Sequence, residues 1–396
     1  MSKPIHTYLD LDVVNNNLNS SAAAPQLRFE EVRNSPFLEG DSSEYFCSIV
    51  RFSIQTGNSL PIFIPRIETG QADINKTVYK VTLWFLDVTT QITYTATVSL
   101  RYIPSDATAS LAQPPTMIQD MSGTYYYQYC IKEIVTMFNK GLSEAWLILL
   151  HALPTVSATT KLQEKFAETL VPFFEYDYDK CRLVLNVDES FVAGSYANGT
   201  ATDGRYRGAV YFNTRFYELL SGLSCFRQNR DGYLNYLFMP DTSSTRTIKA
   251  STGVIHTMYQ TVQEMSSLAM WNPIASVVFC TGMLPIISTN TSIPITYGET
   301  QVDSLASNGN NSNLTNIVSD FEIPVSETNQ YRPVIVYNPS AEYRLMDMHA
   351  SLNLNKIDIS VFWKTQYGEY IPLRLQPGCA AHIQIMFRHK TFDLGY

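Results

Sequence analysis

Charged residues are scarce in this chain. Asp, Glu, Lys and Arg make up 16% of its 396 residues, whereas an average soluble protein has about 25%. Aromatic residues are common, at 12%, with 25 tyrosines and 20 phenylalanines. Protein interfaces are enriched in aromatic residues and depleted in Lys and Glu. The composition therefore suits extensive contact with neighbouring subunits, but a large β protein with polar, uncharged loops has a similar composition.

The sequence also lacks a concentration of positive charge. The formal net charge is −8, and the first 25 residues, where a basic arm could lie, contain one lysine and two aspartates. Binding to nucleic acid through its phosphates needs clustered Lys and Arg. We therefore expect no direct contact with nucleic acid. The basic residues that do lie close together form three small groups, Arg205 with Arg207, Arg227 with Arg230, and Arg388 with Lys390.

Motifs of catalysis and metal binding are missing. The chain contains no GxSxG, GxxxxGK[ST], GxGxxG or HExxH segment, and its six cysteines never form CxxC. Asp10 with Asp12, and Asp177 with Asp179, place two carboxylates on one face of an extended chain, which is a weak signal for a cation or an acid–base pair. Aspartates are common in turns for conformational reasons alone. We predict that the protein is not an enzyme and has no catalytic, cofactor-binding or metal-ligating residues and no cofactor.

Long apolar runs are absent as well. The runs at 145–150 and 274–287 are too short or too interrupted for the roughly 20 residues that a membrane-spanning helix needs. No signal-peptide pattern opens the chain, and widely spaced cysteines are typical of thiols in a reducing compartment. We therefore expect a soluble protein without a membrane span that folds inside a cell.

Alternating apolar side chains dominate the last forty residues. Three runs have this period of two, which is typical of half-buried strands, and glycine and proline separate them where the chain must reverse. We predict an antiparallel meander at the C-terminus. The inward residues of the three runs are Ile357, Ile359, Val361 and Trp363, then Ile371, Leu373 and Leu375, and then Ala381, Ile383, Ile385 and Phe387.

Helical periodicity interrupts a β pattern in the first half. Apolar residues recur at intervals of three and four over 131–149, and Thr160 with Gln163 forms a capping box for a second helix. A third, short helix is predicted within 210–223. Strands are predicted at 45–54, 60–64, 77–86, 91–102, 173–176, 182–187, 233–238, 275–279, 285–288, 293–296 and 333–337.

The fold class that follows is mainly β, a jelly-roll-like antiparallel β-sandwich, either one enlarged or two in tandem, with two or three inserted helices. A Gly-, Ser- and Thr-rich loop at 194–208 is the expected boundary. We predict an N-terminal β-sandwich with inserted helices over 1–195 and a C-terminal β-sandwich over 196–396.

Several segments of the C-terminal third resemble the capsid proteins of small icosahedral DNA viruses, including the polinton-like and virophage-related groups. These segments are Trp271–Phe279 leading into Leu284–Pro285, Asp320–Glu322, Tyr343–Arg344, and Ile357–Lys364 with Pro377–Gly378 beyond. The resemblance implies a jelly-roll sandwich in a virus shell, with helices in its loops. The missing basic arm departs from coat proteins that grip their genome.

We therefore predict a viral capsid structural protein that self-assembles into the virion shell inside the host cell. Its expected partners are copies of itself and other capsid proteins. Phe362, one residue out of phase with Trp363, is a candidate subunit-interface residue, together with Tyr367 and Tyr370. The alternative is a non-enzymatic carbohydrate- or receptor-binding β-sandwich protein, which would present exposed Tyr and Trp in a groove.

Overall fold

The structure, a computed structural model, consists mainly of antiparallel strands. It describes residues 6–17, 24–56, 59–105, 111–115, 119–121, 123–154, 161–196, 204–230, 234–250, 253–287, 296–297, 302–303, 316–323, 334–339, 344–366 and 368–390. The first twelve strands are β1 (His6–Val14), β2 (Arg28–Val32), β3 (Tyr45–Gln55), β4 (Lys76–Asp87), β5 (Ile92–Arg101), β6 (Phe173–Asp177), β7 (Arg182–Asp188), β8 (Ala193–Tyr196), β9 (Gly204–Phe212), β10 (Cys225–Arg230), β11 (Leu234–Phe238) and β12 (Thr245–Lys249).

The remaining strands are mostly in the C-terminal third: β13 (Ile255–Val262), β14 (Ile274–Cys280), β15 (Thr296–Tyr297), β16 (Val302–Asp303), β17 (Ile317–Phe321), β18 (Val334–Tyr337), β19 (Met346–Asp347), β20 (Lys356–Thr365), β21 (Tyr370–Pro372) and β22 (Ala380–His389). The α-helices are α1 (Ile131–Ala152), α2 (Leu162–Ala167), α3 (Glu189–Val192), α4 (Thr214–Leu219) and α5 (Leu268–Trp271). Single 3-10 turns lie at Ser42–Glu44 and Thr124–Tyr126.

The chain divides into two compact units. The first unit combines residues 1–61 with 273–396, and the second is the continuous segment 62–272. The predicted boundary between 195 and 196 does not coincide with this division, because it falls within β8, which pairs with β9 inside the second unit. Residues 194–196 and 204–208 of this predicted loop are parts of the paired strands β8 and β9, so the polar composition belongs to one pair of strands within a single sheet.

The first unit is a sandwich of two sheets. Its first sheet has the strand order β1-β22-β3-β18, with β19 also paired to β3, and its second sheet has the order β17-β14-β20-β2, with β21 paired to β20. Phe52 of β3 contacts Phe279 of β14, with ring centroids 4.9 Å apart, and Phe29 of β2, at 6.4 Å. These aromatic contacts join the inner faces of the two sheets.

The predicted C-terminal meander is wrong in its last strand. β20 and β21 pair antiparallel as predicted, but β22 pairs with β1 and β3 and therefore lies in the opposite sheet. Alternation identifies which side chains face the core and carries no information about the neighbouring strand. The inward phase was correct, since Ile383, Ile385 and Phe387 are all fully buried.

The second unit packs α1 against two further sheets. One is six-stranded, with the order β10-β11-β9-β4-β5 and β8 paired to β9, and the other has the order β12-β13-β7-β6. The predicted stripe of α1 lies in their shared core, which contains Phe85, Phe138 and Leu185 from the two sheets and the helix. Gly141 permits the close approach of α1, because a Cβ atom there would lie 2.0 Å from Leu100 Cδ2.

Three local predictions needed correction. The segment 210–223 begins as a strand, and α4 starts only after Asn213, whose side chain accepts a hydrogen bond from the Phe216 N–H at 3.0 Å. The predicted strands at 60–64 and 285–288 are reduced to single bridges at Phe63 and Ile286. Each of these two segments contains a proline, which cannot donate a hydrogen bond to a neighbouring strand. Residue 160, the proposed cap of α2, lies outside the described residues.

Candidate assembly surface

Trp363 and Phe362 occupy opposite faces of the second sheet of the first unit. Trp363 lies on the inner face and is only 1% exposed, which confirms the predicted strand phase. Phe362 lies on the outer face and is half-buried. Its neighbours in register are Val278 of β14 and Pro372 of β21. The outer face of this sheet therefore carries a phenylalanine that the sandwich core does not use.

A small apolar cluster surrounds Phe362. Val278, Cys280 and Ile317 are buried, and Phe362 and Tyr370 pack against them. Burial raises the pKa of the Cys280 thiol to about 12 and also raises the pKa of Tyr370. Both groups are therefore neutral near pH 7, and the cluster itself contains no charged side chain.

Tyr370 also contacts a cation. Lys364 Nζ lies 5.7 Å from the centroid of the Tyr370 ring, a distance typical of a cation–π interaction. Of the three predicted interface residues, Phe362 and Tyr370 thus lie in one cluster, whereas Tyr367 lies outside the described residues. Val278, Cys280 and Ile317, which the sequence analysis did not single out, complete this cluster. The continuous apolar run of β14 was the available signal, since a strand buried on both faces does not alternate.

The two aspartate pairs have partners within the fold. Asp12 Oδ1 lies 2.9 Å from His382 Nδ1, and Asp10 Oδ1 accepts a hydrogen bond from Gln384 Nε2 at 2.8 Å, which ties β1 to β22. Asp177 accepts hydrogen bonds from the N–H groups of residues 179 and 180 in a turn, and these bonds lower the pKa of its carboxyl group. Asp10, Asp12 and Asp177 therefore have conformational roles.

The aromatic cluster before α1 belongs to the protein core. Tyr125, Tyr126 and Tyr127 are at most 7% exposed. Their hydroxyl groups donate hydrogen bonds to Asn75 Oδ1, the Ile74 carbonyl and the Met121 carbonyl, respectively. These rings fill the protein interior and offer no stacking surface to a ligand.

Asp188 and His256 form a buried pair in the second unit. Asp188 Oδ2 lies 2.8 Å from His256 Nδ1 and also accepts a hydrogen bond from the Leu170 N–H, while Oδ1 accepts from the Ser190 N–H. The aspartate thereby joins β7 to three other segments. Across the described ranges, no group of three or more His, Cys, Asp or Glu side chains is arranged to hold a metal ion. None of the helices there is long and apolar enough to cross a membrane.

The first unit is thus an antiparallel β-sandwich with an apolar cluster on the outer face of one sheet, the architecture of a structural β protein. A family model described as the Sputnik minor capsid protein V18/19 matches residues 7–389. The chain belongs to this family. It is accordingly a viral capsid structural protein and a component of the virion, which confirms the resemblance drawn from the C-terminal third.

Two Sputnik virophage proteins are similar to parts of the chain. The structural protein V19 is 26% identical over 134 residues, which cover 34% of this chain and 57% of V19. The protein V18 is 30% identical over 109 residues, which cover 26% of this chain and 62% of V18. The chain thus spans about three fifths of the length of the curated relatives that it matches.

Two solved structures share the fold over nearly the whole chain. A chain of the cryo-EM structure of the Sputnik virophage superposes with a TM-score of 0.72 at 21% identity, covering 100% of both chains. The mavirus penton protein superposes with a TM-score of 0.60 at 13% identity, covering 97% of this chain and 99% of that one. The likeness confirms the mainly β, jelly-roll-like fold class.

Proposed function

We propose that the chain is a penton-type subunit that assembles with copies of itself and with other capsid proteins into an icosahedral shell. Its role is structural, without catalysis and without direct contact with nucleic acid. The mavirus protein that shares its fold over almost the full length is a penton protein, and the family description is that of a minor capsid protein. Both descriptions fit a subunit present in fewer copies than the main shell protein.

The apolar cluster around Phe362 supports this proposal most directly. The inner face of the sheet that carries Phe362 is filled by Trp363 and its neighbours, so a second apolar group on the outer face adds nothing to the sandwich core. Single exposed apolar residues are common on monomers, whereas clustered apolar and aromatic residues are typical of interface centres. We propose that a neighbouring subunit covers Phe362, Tyr370 and Tyr367 in the shell.

Replacement of Phe362 tests the interface separately from the fold. Phe362→Ser removes a half-buried ring, so it should cost about 1–2 kcal/mol of folding stability while it strongly reduces assembly. The wild-type chain should form discrete ring-shaped oligomers in light scattering and negative-stain microscopy. The variant should remain largely monomeric at the same concentration.

Tyr8→Ser is the matched control, because Tyr8 is a 54% exposed aromatic residue on the other sheet of the first unit. It should melt and assemble like the wild type. A wild-type chain that stays monomeric at high concentration, with and without the other capsid proteins, would contradict the assembly proposal. Equal loss of assembly in both variants would contradict the assignment to the Phe362 cluster.

A further inference from the structure

The six-stranded sheet of the second unit has a chemically distinctive outer face. Along β4, β5 and β9, side chains alternate between the core and the outer face of the sheet. The inward ones, such as Val81, Val98 and Val210, belong to the core. The outward positions of these three strands form a surface that we name the outer platform. It comprises the outward positions within 80–86, 93–99 and 205–211. Thr93, Thr95, Thr97, Arg205 and Arg207 are exposed, Trp84 is half-buried, and Thr82 and Tyr211 are buried.

Trp84 lies at the middle of the outer platform. Its partners in register are Thr95 on β5 and Ala209 on β9. Trp84 is half-buried and is not part of the core cluster of this unit. Both cross-strand neighbours have side chains much smaller than the indole ring. A flat ligand could therefore stack on Trp84 between the two adjacent strands.

Hydroxyl groups line one side of Trp84. Thr93, Thr95 and Thr97 of β5 all point to this face and are exposed. The Thr82 and Thr97 hydroxyl groups share a hydrogen bond of 2.8 Å, which fixes their orientation. Hydroxyl groups both donate and accept hydrogen bonds, so this row suits a ligand that itself carries many hydroxyl groups.

The outer platform is positively charged although the chain has a net charge of −8. It contains Lys80, Arg205 and Arg207 and no Asp or Glu. Within the part of the chain that the structure describes, none of these three cations forms an ion pair. Guanidinium groups bind carboxylates through two parallel hydrogen bonds. The charge of the surface is therefore complementary to an anionic ligand.

We propose that the outer platform binds an acidic oligosaccharide. A sugar ring would stack on Trp84, its hydroxyl groups would pair with the threonines of β5, and its carboxylates would bind Arg205 and Arg207. Single-stranded nucleic acid fits less well, because its bases need several successive aromatic side chains for stacking. This binding function is additional to capsid assembly and does not depend on it.

Calorimetric titration of the full-length chain tests the proposal. The probes are a polygalacturonate oligosaccharide, a neutral dextran oligosaccharide of the same length and a single-stranded DNA with the same number of charges. The polygalacturonate should bind most tightly. The double variant Arg205→Glu with Arg207→Glu should weaken its binding about tenfold or more, because charge-assisted hydrogen bonds are lost. Trp84→Thr should weaken it about tenfold through lost stacking.

Arg28→Glu is the charge control, since Arg28 lies on the first unit and is 56% exposed. It should leave the affinity within about twofold of the wild type, because Arg28 is not part of the outer platform. Equal weakening by Arg28→Glu, tighter binding of DNA or dextran than of polygalacturonate, or no binding of any oligosaccharide would overturn the proposal. If Trp84→Thr does not fold, the affinity of the Arg205→Glu, Arg207→Glu double variant for polygalacturonate tests the proposal by itself.

Discussion

The two units of the chain are built in opposite ways. The second unit is one continuous segment whose large core joins a 22-residue helix to two sheets. The first unit takes its strands from both ends of the chain, and β1 pairs with β22 across more than 360 residues. Contacts between distant residues carry a larger loop-closure cost than local ones. We infer that the second unit forms the locally determined part of the molecule.

The units also differ in their buried phenols. In the second unit, burial raises the pKa of Tyr79, Tyr126, Tyr196 and Tyr206 to about 12. In the first unit, burial raises the pKa of Tyr370, whose ring is half-buried. The four strongly raised phenol pKa values make the second unit sensitive to alkaline pH.

The largest expected effect is loss of the second unit at high pH. A tyrosine titrates at pH 10.0 when exposed, so between pH 10 and about 12 it ionises in the unfolded chain before the folded one. The stabilisation from these tyrosines is complete below pH 10 and is lost as the pH rises towards 12. Several tyrosines act in the same direction, so the second unit should unfold over this range.

Fluorotryptophan NMR can follow the two units separately. Trp363 is the only tryptophan in the sequence of the first unit, whereas Trp146 and Trp271 are buried in the second. The signals of Trp146 and Trp271 should move to unfolded positions at lower pH than that of Trp363. If the Trp363 signal moves first, the first unit is the less stable one in alkali, and the contrast between the units fails.

Local structure was easier to predict from the sequence than the pairing of strands into sheets. The stripe of α1 and the inward phase of β20 and β22 were correct, because each depends on a repeat within a few residues. The partners of β22 were not predictable, since β1 and β3 lie more than 300 residues away and any half-buried strand offers the same backbone groups. The loop at 194–208 resembled a domain boundary because hairpin connections and linkers share a composition.

The candidate interface was predictable only in part. The alternation along β20 alone predicts that Phe362 lies on the face opposite Trp363. The cluster with Val278, Cys280 and Ile317 could be predicted only by knowing that β14 lies between β17 and β20. The outer platform had no sequence signal, because its residues come from three strands and only register brings Thr95 and Ala209 beside Trp84.

Removal of Trp363 should give the next largest effect, within the first unit. Trp363→Ala deletes a fully buried indole from the sandwich core and should cost about 3–5 kcal/mol. Trp363→Phe retains most of the apolar contacts and should cost less. Thermal melts followed by fluorescence of the second-unit tryptophans should show whether that unit stays folded. If Trp363→Ala melts like the wild type, the closing strands do not hold the first unit together.

The smallest effect compares two aspartates, one in each unit, that each accept several hydrogen bonds. Asp188 is fully buried and accepts from Leu170 N–H, Ser190 N–H and His256. Asp358 is half-buried and holds the turn after β14 by accepting from the N–H groups of residues 282 and 283 and from a threonine hydroxyl. If the carboxylate is removed, water can accept the freed hydrogen bonds at the half-buried Asp358 site but not at the fully buried Asp188 site.

Asp188→Ala should therefore cost about 2–4 kcal/mol, because it leaves buried donors without partners, whereas Asp358→Ala should cost about 1 kcal/mol. Asp188→Asn, which keeps one acceptor oxygen, should recover part of the loss. Denaturant unfolding monitored at the second-unit tryptophans measures all three variants. Equal costs for the two alanine variants would mean that the Asp188 pocket admits water. In that case burial alone would not explain a difference between the two aspartates.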